Sequence, residues 1–298
     1  MAFVLFYQCF HYTLGVLTLI VAPIFAVTMV KKSASRMSSY KKLMSIIMVS
    51  SVISTGITAT SVPVFNSEKM VYEFHGFFKL VENYYSVIVA AVITVSGTIN
   101  TDLLLVILIN RFDNVSTTIA PKSRTVIYSI YALIAITSFL ECAQLVILIA
   151  QSELPLALRP FRRMVNKVYH GYTLLFLISR LIGFIVIVCL NIRFGRRFMK
   201  NASSKVVRLH RMLTRATIAN VICAAVFTQI PMLIVVAAII SRDKNFIDTS
   251  VNIMTALQSF AFFADMVTTL YFVKPFREYL LKLLKYFKVF WCMFFSVE

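Results

Sequence analysis

Apolar residues along this chain gather into seven long runs, near residues 5–30, 43–65, 84–109, 125–151, 169–192, 216–241 and 250–273, and most of the charge lies between them. Each run is long enough for an α-helix to cross a bilayer, which takes about 20 predominantly apolar residues. Strands of a membrane barrel would alternate apolar and polar positions in short pieces, whereas residues 174–190 are apolar on nearly every side, so helices are the spanning form. The pattern predicts an all-α membrane protein. Residues 1–298 form one seven-transmembrane helix bundle, with a tail at 274–298. No basic segment precedes the first run and no small-residue cleavage site follows it, so the first run is expected to stay as a helix.

Charge orients the bundle. Lys31, Lys32, Arg36, Lys41 and Lys42 lie after the first run; Arg111, Lys122 and Arg124 follow the third. Eight basic residues occupy 193–215 and five occupy 274–288, giving 21 on one set of loops against 8 on the other. Basic loops stay in the cytoplasm, which places the N-terminus outside and the C-terminus inside. Two N-x-S/T sequons, at Asn114 and Asn201, fall on the side expected to be cytoplasmic. After Pro275, a residue suited to the first turn of a helix, Leu280, Leu281, Leu284 and Phe287 interleave with Arg277, Lys282, Lys285 and Lys288. That segment is expected to be a cytoplasmic amphipathic helix lying along the membrane face.

Composition agrees: 59% of the 298 residues are hydrophobic, 14% are charged and 26 are Phe, more apolar surface than one water-soluble core can hide. The formal net charge of +18 is then a topology signal and an attraction to anionic inner-leaflet lipid. Dispersed over short loops, it does not point to nucleic acid. The five cysteines have no metal-ligand spacing, and the four histidines form no HExxH or Cys/His cluster, so no metal, cofactor or enzyme activity is expected. Neither the 66–83 nor the 152–168 loop holds a cysteine, so the outer disulfide common among rhodopsin-type receptors cannot form. Cys292 is either a palmitoylation site or an unmodified cysteine in an apolar tail.

Four ionisable side chains lie inside the runs: Asp102, Glu141, Arg180 and Asp265. Charges in apolar helices are costly and usually face the bundle interior. Counting along the fourth and fifth runs puts Glu141 and Arg180 both roughly 15 Å deep, so they either pair with each other or bond separately to backbone or water. Asp102 and Asp265 share another level, roughly 12 Å from the cytoplasmic side. They are a carboxylate pair needing a proton or cation, or two separate acids bonded to neighbours such as Asn100 or Thr268. In the outer half, Tyr84, Tyr85, Gln144, Tyr169, His170, Tyr172, Gln229 and Gln258 form the aromatic and polar wall that a small-molecule pocket would need; helix packing accounts for them equally well. An ion channel or transporter using the intramembrane acids is the alternative, although no internal repeat of the paired-transporter kind is visible.

Several short motifs resemble those of nematode serpentine chemoreceptors. Residues 31–41, Lys-Lys-Ser-Ala-Ser-Arg-Met-Ser-Ser-Tyr-Lys, resemble the first inner loop of that superfamily, where a Lys-Thr-Pro, a Met and a Lys recur at this spacing. Asn110-Arg111-Phe112 resembles the Glu-Asn-Arg signature of its class H (Srh) members. Residues 265–277 are similar to the Asp-Pro and Tyr-Arg of the related Str class, with Met266 in place of the proline and Phe276 in place of the tyrosine. The resemblance implies a G-protein-coupled chemosensory receptor in the plasma membrane of a sensory neuron, in the cilium, with a small-molecule ligand and a heterotrimeric G protein as partners. On that reading Arg111 and the basic residues Arg196, Arg197, Arg208 and Arg211 form the surface that meets the G protein; alternatively Arg111 holds the resting state through an inner acid such as Asp113, or it and the 193–215 charges only set topology and touch lipid headgroups.

Overall fold

The computed structural model describes residues 2–32, 38–68, 71–77, 83–119, 124–150, 159–198 and 203–295. Its helices are α1 (Ala2–Lys32), α2 (Ser38–Ser61), α3 (Asn83–Ile119), α4 (Arg124–Ala150), α5 (Arg159–Phe198), α6 (Ser204–Ala224), α7 (Ile230–Ser241), α8 (Lys244–Phe272) and α9 (Lys274–Phe295). A π-helical turn, Ala225–Gln229, joins α6 to α7 without a break, so these three pieces form the sixth span. Six stretches are long and apolar enough to cross a membrane, and a shorter apolar stretch, Ile127–Ala143, lies in α4. Together they make a seven-helix membrane bundle. Around its outside, Phe6, Leu19, Phe139, Leu175 and Ile240 are exposed. A girdle of large apolar side chains is covered by lipid, not by water.

Helix α3 runs through the centre, packed against α2, α4, α5 and α6, while α8 closes the ring between α1, α2 and the sixth span. Helices α1 and α2 approach closely at Gly15, where an added Cβ would stand 2.7 Å from that of Ala59. Hydroxyls inside the apolar helices bond back to their own turn, as Thr58 does to the Ser54 carbonyl, Thr217 to Leu213 and Thr255 to Val251. A polar group in hydrocarbon must find such a partner.

The two ends of the bundle differ. At one end the second span stops at Ser61, short of the expected residue 65. Val62 turns the chain with φ 43°, and Pro63, which has no N–H to continue a helix, opens a strand. Strands β1 (Pro63–Asn66) and β2 (Val71–Phe74) pair antiparallel, with Phe65 opposite Tyr72 and their rings 5.2 Å apart. Side chains seal this hairpin to the bundle. The Asn252 amide accepts from Phe65 N at 2.8 Å and donates to Phe65 O at 3.4 Å, Asp248 accepts from Ser67 N at 2.6 Å, and Gln8 donates to the His75 carbonyl at 2.7 Å.

At the other end α8 stops at Phe272, and Phe276 N and Arg277 N both bond to the carbonyl of the next residue, Val273, as α9 begins. Val273 and Phe276 are fully buried. Burial of Phe276 relative to exposure is worth ~1.5–3 kcal/mol and pins α9 to α1 and α8. Leu281, Leu284 and Tyr286 stay exposed on it, as the amphipathic reading requires. The helices also outrun the apolar runs: α3 continues past 109 to Ile119, α5 spans Arg159–Phe198 where 169–192 was expected, and α6 begins at Ser204, well before 216. Charged residues end an apolar run without ending the helix that carries it.

One apolar cluster fills the half of the bundle nearest α9. Phe25, Met29, Met44, Leu104, Leu108, Phe184, Ala216 and Met266 belong to it. The half nearest the hairpin is lined differently.

Candidate functional site

In the hairpin half the bundle encloses a cavity lined by Gly97, Thr98, Glu141, Leu177, Arg180, Thr228, Gln229, Met232, Met254 and Gln258. It holds about 410 Å³ of atom-free space, part of it open to the outside, of which about 40 Å³ admits the centre of a water molecule. That is room for a few waters or a very small organic molecule. The wall comes from α3, α4, α5, the π turn, α7 and α8.

Arg180 sits at the foot of the cavity. Its Nη2 donates to Asp102 Oδ2 at 2.7 Å and stands 3.0 Å from Glu141 Oε2. Ser138 also donates to Asp102 Oδ2. All three charged residues are buried, with exposures of 5% for Arg180 and 7% for each acid. The guanidinium lies over the Phe176 ring, 3.9 Å from its centroid, and Tyr172 stacks on Phe176 in turn. Residues 172, 176 and 180 are four apart, so one face of α5 carries both aromatic rings and the cation. The Glu141 contact lacks hydrogen-bond geometry, and Glu141 Oε2 and Arg180 Nε have no hydrogen-bond partner.

This arrangement brings Glu141 and Arg180 together and, of the two alternatives for the acids, favours separate ones over a carboxylate pair. Asp102 does not share a site with Asp265; it belongs to Arg180. Two physical reasons account for this. Helix α3 is longer than its apolar run, so Asp102 falls near mid-helix and not near an end. Moreover α5 packs chiefly on α3 and only lightly on α4, so a reckoning that paired consecutive helices left out the central one. Asn100 and Thr268, expected as neighbours bonding the two acids if these are separate, are engaged elsewhere: Asn100 donates to Ser51 Oγ at 3.1 Å, and Thr268 faces Cys223 Sγ at 3.9 Å. Asp265 itself is buried in α8, toward the α9 end, with Oδ1 unbonded.

Gln229 and Gln258 stand in the cavity wall beside the charges. Gln258 Nε2 donates to the Ile93 carbonyl at 2.9 Å, and Gly97 makes room for it, since a Cβ there would come within 2.1 Å of the same nitrogen. Gln229 is the last residue of the π turn. Ile230 N–H bonds to Ala225 O, five residues back, and Pro231 follows without an N–H. A proline ring clashes with the carbonyl four residues earlier in a regular helix; the wider turn relieves that clash and directs Gln229 inward, where it is 2% exposed. Its Nε2 reaches Thr101 Oγ1 at 3.5 Å while Oε1 has no partner. Tyr84, Tyr85, Gln144, Tyr169 and His170 lie on α3, α4 and α5, and their side chains fall outside the described residues.

At the α9 end, Arg111 is only 9% exposed. Its guanidinium stacks over Tyr40, 5.4 Å from the ring centroid, and Nη1 donates to Thr214 Oγ1 at 3.3 Å, tying α3 to α6. Nearby, Asn220 Nδ2 donates to Thr269 Oγ1 at 3.0 Å, tying α6 to α8, and Asn191 Nδ2 donates to Leu108 O at 3.1 Å, tying α5 to α3. Arg111 is therefore part of the helix packing and not a free surface charge. Arg196, Arg208 and Arg211 are exposed, and the Arg197 side chain lies outside the described residues.

Seven apolar helices around a polar cavity at mid-depth define a multi-pass seven-transmembrane protein. Residues 4–286 match the family described as serpentine type 7TM GPCR chemoreceptor Srh, and the chain belongs to that family. It is a family of receptors, not of enzymes. No curated protein matches the chain.

Proposed function

We propose that this chain is a chemosensory receptor of the plasma membrane, in a sensory cilium, that binds a small molecule in the cavity above Arg180 and signals to a heterotrimeric G protein at its α9 end. In this reading the N-terminus and hairpin face outward. The α9 end carries most of the basic residues and faces the cytoplasm, where Arg196, Arg208 and Arg211 meet the G protein.

The observation that carries the proposal is the position of the cavity. Six structural elements contribute to its wall, and one of them is the π turn of the sixth span. Such turns concentrate at functional sites. Below the turn, the same span is held to α3 by Arg111 and to α8 by Asn220. A ligand seated against Gln229 acts on the span whose other end carries those ties. Differential contact of this kind is what a ligand needs to shift a conformational equilibrium.

The test is a G-protein dissociation assay in cells expressing the chain at the surface, screened with small molecules alongside whole-cell current recording. The receptor reading expects ligand-evoked dissociation that disappears when the Gα subunit is removed. Ligand-evoked current that persists without Gα would replace it with the channel reading.

A further inference from the structure

Around Arg180 the cavity has more negative charge and more hydrogen-bond acceptors than it can satisfy. Two buried carboxylates, Asp102 and Glu141, share one guanidinium group, so among the described residues the cluster carries one negative charge in excess when both acids are ionised. Isolated charge inside a bilayer is strongly unfavourable, and the excess calls for a proton or a cation. The acceptors tell the same story independently. Gln229 Oε1 is buried in the cavity region without a hydrogen-bond partner, and Glu141 Oε2, though 3.0 Å from Arg180 Nη2, shares that one nitrogen with Asp102 and accepts no hydrogen bond of good geometry. The amide nitrogens of both glutamines are already committed to Thr101 and Ile93. What the wall offers a guest is oxygen, with Leu177, Met232 and Met254 as its apolar side.

We infer that the ligand is a small alkyl primary amine, bound as its ammonium ion between Glu141 and Gln229 with its hydrocarbon part against Leu177, Met232 and Met254. An ammonium group has three donors and no acceptor, which suits the free Gln229 oxygen and the shared Glu141 carboxylate and cancels the excess charge. A carboxylate ligand adds a third negative charge to the cluster, and a ketone or aldehyde brings only another acceptor. The narrow interior limits the guest to a few heavy atoms. The inference rests on the cavity being the ligand site, and it specifies the chemistry of that site.

The test uses the full-length receptor in lipid nanodiscs and three probes of one carbon skeleton: n-butylamine, n-butanol and butyrate. Binding is read from the ligand-dependent rise in unfolding temperature. Butylamine is expected to stabilise the wild-type protein, with butanol and butyrate weaker or inert. In Glu141→Gln the apparent Kd for butylamine should rise by roughly 10- to 100-fold, the worth of a charge-assisted hydrogen bond. Glu278→Gln, on the exposed face of α9, controls for non-specific amine effects and should bind as wild type does. Stabilisation by butanol or butyrate without butylamine would overturn the amine assignment and leave the cavity as a ligand site of other chemistry. An unchanged butylamine Kd in Glu141→Gln would overturn it as well. If none of the three probes stabilises the protein, the amine assignment falls, while the G-protein assay still decides the receptor reading separately.

Discussion

Arg180 balances two acids, so the consequences of neutralising each member differ. In Arg180→Met both Asp102 and Glu141 lose their cation, and removing one partner of a buried pair costs ~3–5 kcal/mol. Surface expression should fall severalfold. Glu141→Gln leaves Asp102 and Arg180 matched at 2.7 Å, and expression should stay near wild type or exceed it. The double variant should recover only partly from Arg180→Met, because Asp102 still lacks a cation. Surface labelling of the three variants checks the order, and equal damage from Glu141→Gln and Arg180→Met would contradict the three-residue cluster. Glu141 and Arg180 were recognisable from the sequence as ionisable groups at one depth in adjacent runs. Asp102 was legible as a buried charge but not as their partner, since linear depth does not say which non-consecutive helices meet. Ser138, three residues before Glu141 on the same face of α4, and the Tyr172, Phe176 and Arg180 series were readable from helical spacing. At the cytoplasmic end in the proposed topology, Arg111→Ala removes the α3 to α6 tie at Thr214. Basal G-protein activity at matched surface level should rise; an unchanged basal level would leave Arg111 as a packing residue alone.

Individual helices carry their own tests. Glycine to alanine in a helix interior ordinarily gains up to ~1 kcal/mol, and Gly183→Ala, where a Cβ meets nothing within 4 Å, should show that gain. Gly97→Ala should do the opposite, because its methyl must displace the Gln258 amide from Ile93 and leave a buried group unbonded, at ~1–3 kcal/mol. Unfolding temperatures of the two variants should move in opposite directions, and parallel shifts would contradict the close approach of the Gln258 side chain to Gly97. The hairpin offers a second element-scale test. Asn252→Ala strips both bonds from the edge of β1, so amide exchange at Phe65 should speed up while the helices stay protected. Exchange rates unchanged at Phe65 would mean that the strand pairing alone holds it. The helices were legible because apolar runs of this length have one stable form in a bilayer. The hairpin was not: four-residue strands leave little period to read, and the pairing is fixed by Asn252 and Asp248, far away in sequence. The π turn was equally hidden, though Pro231 inside an apolar run marks where a regular helix has to give.

For the whole molecule, cavity, ties and basic surface have meaning only if the hairpin end faces outward and the α9 end faces the cytoplasm. Basic residues on alternate loops are the sequence signal for that orientation, and the fold gathers the start of α2, Arg111, α6 and α9 at one end, with the hairpin and the start of α8 at the other. The sequons at Asn114 and Asn201 are expected to stay unglycosylated, which an endoglycosidase mobility shift would check. The most direct measurement is epitope accessibility in intact cells, with one tag before Met1 and a second after Glu298. The account predicts staining of the N-terminal tag without permeabilisation and of the C-terminal tag only after it. Staining of the C-terminal tag on intact cells, or of both tags from the same side, would contradict a seven-span receptor that presents its cavity to the outside and its basic end to a G protein.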